Sequence, residues 1–270
     1  MAAHASVAWF VVIAGCSAAL WVLGSRIGRG PARLARWVIA GGVATILGWG
    51  WLIHHPAAAV RVIPVSLLSR IEGVGGVPIF MLVLGVAWAR CQRPRQRVVV
   101  GWAMTLGTIY FIHGGAWMLQ TTPSTVMGQT VHPHVTRQTQ DYSCVPAACA
   151  TALNLLGFPS TEAQMAELTQ TRPGTGSTMI RAVGGLDRRL RHAAFRPVLL
   201  DTPAAELDTL PLPALTPLQF EPTRLHMVVI SRVTPDGVWI MDPTDGYLFL
   251  TNHQFEHVYR RQVIAFAQNN

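Results

Sequence analysis

The chain has 270 residues, half of them hydrophobic, and a formal net charge of +8. This length allows one large domain or two small ones. Residues 1–119 contain ten Arg and a single acid, whereas residues 120–270 contain eleven Arg and twelve acids. A nucleic-acid-binding function is therefore not indicated, because the positive charge belongs to the first half and the second half is nearly neutral.

The first half contains four long stretches without Asp, Glu, Lys or Arg. Each reaches the roughly 17 to 25 apolar residues that an α-helix needs to cross a bilayer core of about 30 Å. Buried helices of a soluble protein are a poor alternative, since so many uncharged residues leave almost no polar face for water. The sequence predicts an all-α domain of four transmembrane helices within residues 1–119, at about 7–24, 37–53, 73–89 and 98–119.

Arginine is unevenly distributed among the loops between these helices. Four Arg lie between the first two helices and four between the last two, whereas the middle loop holds two. By the positive-inside rule, both Arg-rich loops are cytoplasmic. We therefore expect an integral protein of the bacterial inner (cytoplasmic) membrane, with everything after residue 120 on the periplasmic or extracytoplasmic side.

Residues 120–136 are polar and uncharged and include Pro, Ser, Thr and Gly, which predicts a linker. Residues 137–270 are the size of one compact domain. Helices are predicted at 144–156 and 178–191. A capping box of Thr161 and Gln164 predicts a short helix between them. Strands are then predicted at 195–200, 225–233, 237–242, 246–250 and 262–267. Helices followed by an antiparallel sheet indicate an α+β domain.

Four residues of this domain have the chemistry of a cysteine nucleophile and its helpers. Cys144 begins a predicted helix, where unpaired N–H groups and the helix dipole lower the pKa of a thiol. His226 begins one strand and Asp242 ends the next, so a hairpin returns the carboxylate toward the imidazole, whose tautomer it would fix. Gln138, six residues before Cys144, offers a neutral side-chain amide for an oxyanion hole together with the Cys144 backbone N–H.

Each of these residues alone has an ordinary structural interpretation. A cysteine at a helix start is usually a small buried hydrophobe, and Asp-Pro after a strand is common turn chemistry. A regular hairpin turn at 234–237 would also leave Asp242 about three residues short of facing His226. We therefore expect a bulge, or the turn at Pro243, to correct the register.

The order of these segments resembles the peptidase C39 family, papain-like domains of exporters that cleave double-glycine leader peptides. The resemblance covers residues 137–267 approximately, and it implies a papain-like fold of helices packed on an antiparallel sheet. By position it implies Cys144 as nucleophile, Gln138 as oxyanion glutamine, His226 as general base and Asp242 as its orienting carboxylate. The segments that carry it are QTQDYSCVPAACATALNLLG, TEAQMAEL, TGSTMIRAVGGLDRRL, LHMVVISRV and VWIMDPTDG.

Two features depart from that family. Its usual Asp-Cys-Gly is replaced by Ser143-Cys144-Val145, so a β-branched side chain beside the nucleophile would narrow the cleft. The exporters carry the domain at the N-terminus, in the cytoplasm, before a transporter and an ATPase, whereas here it follows membrane helices and the chain contains no Walker A sequence.

The sequence thus predicts a membrane-anchored cysteine peptidase with a Cys-His-Asp triad and a Gln oxyanion hole. Two alternatives stay open: a catalytically inactive peptide-binding module, and an acyl or amide transferase that uses the same cysteine. The expected partners are a peptide or protein substrate and the lipid bilayer, with no nucleic acid and no ATP-binding domain. Nothing in the sequence suggests a metal or an organic cofactor, and substrate and oligomeric state are left open.

Overall fold

The structure, a computed structural model, describes residues 2–119, 126, 135–222 and 224–268. The chain divides into two compact units, the first formed by Met1–Ala59 with Arg70–Thr121 and the second by Val60–Ser69 with Thr122–Asn270. The predicted linker at 120–136 lies outside the described residues except for Val126, Val135 and Thr136.

Residues 2–115 form α1 (Ala2–Gly28), α2 (Ala32–His54), α3 (Pro56–Val62), α4 (Val65–Ile71), α5 (Val77–Arg90) and α6 (Pro94–Gly115). Three helical segments are long and apolar enough to cross a membrane: Val7–Gly28, Ala32–His54 and Pro94–Gly115. Large apolar side chains point outward from them, with Trp37 70%, Leu47 68% and Trp102 65% exposed. Such surfaces suit a lipid environment, because they would be unfavourable in water.

The prediction of a fourth full-length span at 73–89 was wrong. Only Val77–Arg90 is helical there, and its 14 residues extend about 21 Å, less than the roughly 30 Å of a bilayer core. Residues 72–76 form turns, and Gly73 adopts a left-handed φ of 84°. Three glycines within residues 73–76 disfavour helix in this segment, although its composition is apolar.

The shorter helix α5 packs closely along α1. Gly24 lies against the backbone of Leu82, and Gly28 lies against Ala89. Because later residues of α1 contact later residues of α5, the two helices run parallel. Glycine permits this approach because it has no Cβ to separate the backbones.

The two ends of the first unit are defined by contacts between distant residues. At one end, the Arg90 guanidinium donates a hydrogen bond to the Gly30 carbonyl at 2.6 Å. At the other, the rings of Phe10 and Phe111 stack with centroids 4.8 Å apart. The Arg-rich segments after α1 and α5 therefore lie at one end of the unit, and α6 ends at the opposite one.

The second unit contains an antiparallel six-stranded sheet with the strand order β1-β6-β2-β3-β4-β5. Its helices α7 to α9 precede the sheet, as the predicted α+β class requires. The elements are α7 (Cys144–Leu155), α8 (Glu162–Leu168), α9 (Met179–Arg189), β1 (Phe195–Asp201), β2 (Ala214–Glu221), β3 (Arg224–Thr234), β4 (Gly237–Asp242), β5 (Gly246–Thr251), α10 (Asn252–Val258) and β6 (Gln262–Gln268).

Two of these elements, β2 and α10, were not predicted. Pro217 sits within β2, opposite Met227 of β3, and a proline argues against a central strand because it lacks an N–H. The other neighbour of β2, strand β6, pairs with it only at Leu215, so the missing N–H is tolerated. Helix α10 begins with a capping box formed by Thr251 and Gln254.

The helices cover the sheet and set the start of α7 beside β3. Phe255 of α10 belongs to a buried cluster with Val238 and Ile240 of β4. Helix α7 packs on β2, β3 and β4, and its residues 144–153 are all buried. Cys144, the first residue of α7, is therefore buried against the central strands of the sheet.

We expect Gly85→Ala to destabilise the first unit. An added Cβ would collide with the carbonyl oxygen of Trp21, and overpacking of this kind costs about 1 to 3 kcal/mol. Gly48→Ala is the matched control, since nothing lies within 4 Å of a Cβ there. Thermal unfolding of the full chain in detergent should show a lower midpoint for Gly85→Ala alone, and equal midpoints would contradict the close packing.

Candidate active site

Helix α7 begins at Cys144 because the preceding residues form a closed turn. The Ser143 hydroxyl donates to the Gln140 carbonyl at 2.9 Å, and the Gln140 N–H donates to Ser143 Oγ at 3.1 Å. The Ser143 side chain is thus engaged backwards and does not cap the helix. The N–H groups of the first turn are left available near the sulfur.

Asp242 fixes the orientation of the His226 ring. Its Oδ1 accepts a hydrogen bond from His226 Nε2 at 2.8 Å. The same oxygen accepts from the Thr244 N–H at 2.6 Å and the Asp245 N–H at 3.3 Å, and Asp242 is only 2% exposed. Because Nε2 faces the carboxylate, the ring presents Nδ1 to its other partner, Cys144.

A one-residue bulge at Ser231 brings these two side chains together. Counted from the hairpin turn, regular pairing would place Asp242 opposite Val229, on the sheet face away from His226. The register instead shifts between Ile230 and Arg232, which places Asp242 opposite Val228. Residues 226 and 228 point to the same face, so the expected bulge makes the hydrogen bond possible.

The Cys144 thiol lies among hydrogen-bond donors. Burial by itself would raise its pKa, but a hydrogen bond to His226 and one from the backbone N–H of Met227 lower it, helped by the His226 charge and the Val145 N–H. The net effect is a pKa below the usual range of a cysteine. The sulfur is therefore a thiolate at lower pH than an ordinary thiol.

The His226 ring shows the complementary shift. Burial would lower its pKa, but hydrogen bonds to Asp242 and Cys144, and their charges, raise it to about 9. The pKa of Asp242 is lowered: burial opposes this, while the hydrogen bond and charge of His226 and two backbone N–H groups favour the carboxylate. The arrangement thus favours a thiolate–imidazolium pair over a neutral thiol and a neutral imidazole.

Gln138 is placed next to the same hairpin by its backbone. Its N–H donates to the carbonyl of Pro243, the residue after Asp242, at 3.0 Å. The side-chain Oε1 is buried and has no hydrogen-bond partner among the described residues. Within that same part of the chain, no hydrogen bond joins Gln138 to Cys144 or His226, so three predicted residues are linked directly and Gln138 is held beside them.

Sequence reasoning missed two contributors to this site. The Met227 N–H donates a hydrogen bond to the Cys144 sulfur, beyond the point where β4 ends at Asp242. A backbone donor cannot be predicted from the type of side chain. Glu162 is fully buried and accepts two hydrogen bonds from Thr139, the neighbour of Gln138. The predicted capping box at Thr161 and Gln164 was the nearest signal, because it fixes Glu162 as the first helical residue.

Comparison with known proteins identifies relatives of the second half of the chain. Residues 132–270 match the Peptidase C39 family. An uncharacterized protein of Methanothermobacter thermautotrophicus is 30% identical over 143 residues, which cover 53% of this chain and 92% of that protein. Val145, which stands where the resemblance led us to expect glycine, is 4% exposed.

Two solved structures are similar at low identity. One is the peptidase domain of Streptococcus ComA, a bi-functional ABC transporter involved in a quorum sensing pathway, with 15% identity, a TM-score of 0.44 and coverage of 54% of this chain and 99% of that domain. The other is a double glycine motif protease from an AMS/PCAT transporter in complex with the leader peptide, with 16% identity, a TM-score of 0.42 and coverage of 53% and 99%.

We expect the alkylation of Cys144 by iodoacetamide to be centred at a pH below 8.5, the pKa of an ordinary cysteine, because its pKa is lowered and the thiolate is the reactive form. His226→Ala removes the stabilising imidazolium and leaves the burial, so the alkylation profile should move to higher pH. Mass spectrometry of the modified peptide across pH measures both profiles. Cys149 is the internal control, because full burial raises its pKa and should keep it unmodified. A wild-type profile centred at or above pH 8.5 would contradict the ion pair.

Proposed function

The chain belongs to the peptidase C39 family, and from this premise we propose that it is a membrane-anchored cysteine peptidase that processes a peptide or protein outside the cytoplasm. The observation that carries the proposal is the hydrogen-bonded series from the Cys144 thiol through His226 to Asp242, with 2.8 Å between His226 Nε2 and Asp242 Oδ1. We further propose a membrane domain at 1–119, a linker at 120–136 and the peptidase domain at 137–270.

In the first half-reaction, the Cys144 thiolate attacks the carbonyl carbon of the scissile peptide bond. The new S–C bond displaces the carbonyl π electrons onto oxygen, which becomes an oxyanion. When this intermediate collapses, the C–N bond breaks and His226 gives its proton to the departing amine. A thioester between Cys144 and the acyl part of the substrate remains.

In the second half-reaction, neutral His226 removes a proton from water, and the hydroxide attacks the thioester carbon. Collapse of the second tetrahedral intermediate breaks the S–C bond, releases the carboxylic acid product and restores the thiolate beside a protonated imidazole. Asp242 stays ionised throughout and holds the ring, since its pKa is lowered.

Gln138 and the Cys144 backbone N–H are proposed to hold the oxyanion. The buried amide of Gln138 has an oxygen without a partner among the described residues, and amide oxygen and nitrogen positions interchange by rotation of the side chain. A preorganised donor of this kind typically contributes about 10²- to 10³-fold to kcat.

We expect Cys144→Ala to abolish turnover, because the change removes the proposed nucleophile. Cys149→Ala is the matched control: it makes the same change one and a half turns further along α7, at a fully buried thiol, and should keep activity. Cleavage of a proteome-derived peptide library by the full chain in detergent, read by mass spectrometry, measures both variants.

Other outcomes of that experiment favour the alternatives. Unchanged cleavage by Cys144→Ala would contradict the proposed nucleophile. Peptide binding without cleavage by the wild type would indicate a binding module, and amide products formed with added amines would indicate acyl transfer.

The two ends of the first unit support a proposal about the side of the membrane on which the peptidase domain lies. Both Arg-rich segments lie at one end, with Arg90 bonded to Gly30, and α6 ends at the other. The positive-inside rule assigns the Arg-rich end to the cytoplasm. We therefore propose that the peptidase domain is extracytoplasmic.

A reporter enzyme that is active only outside the cytoplasm should be active when fused after Asn270. The same reporter fused after Gln92, in the second Arg-rich segment, should be inactive and serves as the control. Activity of the fusion after Gln92 alone would reverse the topology.

A further inference from the structure

A fully buried carboxylate lies next to the residue proposed for the oxyanion hole. Glu162 is 0% exposed. Its Oε1 accepts a hydrogen bond from the Thr139 N–H at 3.0 Å, and its Oε2 accepts one from the Thr139 hydroxyl at 2.8 Å. Both oxygens are thus directed at one residue, the immediate neighbour of Gln138.

Glu162 is not needed to cap the helix that it begins. At the start of α8, the Gln164 N–H donates to Thr161 Oγ1, and the Thr161 N–H donates to the Gln164 side chain. These two residues form the capping box without any contribution from the Glu162 side chain. The Glu162 side chain instead leaves the helix toward the 138–140 segment.

Three successive backbone N–H groups of that segment are anchored to three different places. The Gln138 N–H is bonded to the Pro243 carbonyl, the Thr139 N–H to Glu162, and the Gln140 N–H to Ser143 Oγ at the start of α7. Of the three acceptors, only Glu162 is an acidic side chain, and hydrogen bonds to a carboxylate are about twice as strong as hydrogen bonds to a neutral acceptor. Glu162 therefore restrains the peptide that joins residues 138 and 139 through the Thr139 N–H.

Burying a carboxylate is costly unless its hydrogen bonds are well satisfied, so a purely space-filling role at this position would favour an apolar side chain. The Glu162 carboxylate accepts hydrogen bonds from both the N–H and the hydroxyl of Thr139. These bonds fix the orientation of the peptide between residues 138 and 139, and hence the direction in which the Gln138 side chain leaves the backbone. We propose that Glu162 is a positioning residue that sets the Gln138 amide in the oxyanion hole. This inference rests on the proposed peptidase function.

The test compares Glu162→Gln with Glu167→Gln in the full chain in detergent. The first removes the charge and leaves the shape, so that the hydrogen bonds to Thr139 become neutral and weaker, whereas Glu167 is exposed on the same helix and serves as the matched control. We expect Glu162→Gln to lower kcat by about tenfold, less than the roughly 10²- to 10³-fold of a deleted oxyanion donor. KM and the pH profile of Cys144 alkylation should not change, because alkylation forms no oxyanion.

A conservative change at Thr139 provides a second control. Hydrogen exchange measures the restraint on this segment independently of peptide cleavage. Thr139→Ser keeps both donors to Glu162 and should retain wild-type kcat. In Glu162→Gln, amide exchange of a peptide covering residues 138–143 should become faster, while exchange within α7 from residue 147 onward stays slow.

The outcomes separate this inference from the proposed function. If the wild type cleaves no peptide, the peptidase proposal fails, and unchanged exchange at 138–143 in Glu162→Gln would then also overturn the positioning role. If the wild type cleaves and Glu162→Gln matches it in kcat, only the positioning role fails. The inference would also be overturned if Glu162→Gln lowered kcat, the alkylation of Cys144 and the hydrogen-exchange protection of all of α7 together. That result would show that Glu162 stabilises the whole domain.

Discussion

The hydrogen bond between His226 and Asp242 is the interaction on which the site depends. Burial by itself favours a neutral thiol at Cys144 and a neutral imidazole at His226, so both charges of the proposed ion pair are opposed by their surroundings. The carboxylate reverses this preference: with two backbone N–H groups it stays ionised, raises the pKa of the ring to about 9, and leaves Nδ1 for the sulfur. The lowered pKa of the thiol follows from the charged ring. Asp242 thus acts on a sulfur atom that it does not touch.

The sheet supplies that hydrogen bond through one irregular residue. Both strands of the hairpin, and the turn between them, were predicted from the period-two pattern, yet the pattern alone places Asp242 on the wrong face of the sheet. Ser231 is the extra residue in β3, and its hydroxyl donates to the Trp239 carbonyl across the bulge at 3.1 Å. A bulge reverses which face every later side chain occupies. The sequence indicated that a bulge was needed. The position of the bulge could not be predicted, because it depends on backbone pairing, and pairing depends only weakly on residue type.

Other parts of the structure were beyond sequence reasoning for equally physical reasons. The Met227 N–H is a backbone donor, and backbone donors have no residue signature. Strand β2 contains Pro217, which is acceptable only because its second neighbour pairs at a single position, a fact of topology. Apolar composition at 73–89 predicted burial in a membrane environment but not helix length, since the glycines that end the helix are themselves apolar. Gln138, Cys144, His226 and Asp242 could be predicted as a candidate site because, in that order along the chain, they have the chemistry of a cysteine nucleophile and its helpers.

The charges of the proposed site explain why a neutral donor would suit the oxyanion. In the proposed ion pair, thiolate and Asp242 are negative and imidazolium is positive, and all three groups are largely buried. A cation placed at the oxyanion position would also attract the resting thiolate, and equal stabilisation of ground state and transition state gives no acceleration. An amide dipole acts at short range and favours the charge mainly after it has moved from sulfur to oxygen. Arg137, immediately before Gln138, is accordingly exposed, while the amide that follows it is partly buried. The proposed role of Gln138 requires that its neutral amide be held in place, and the proposed anchor is Glu162, which is fully buried and accepts a hydrogen bond from the Thr139 N–H.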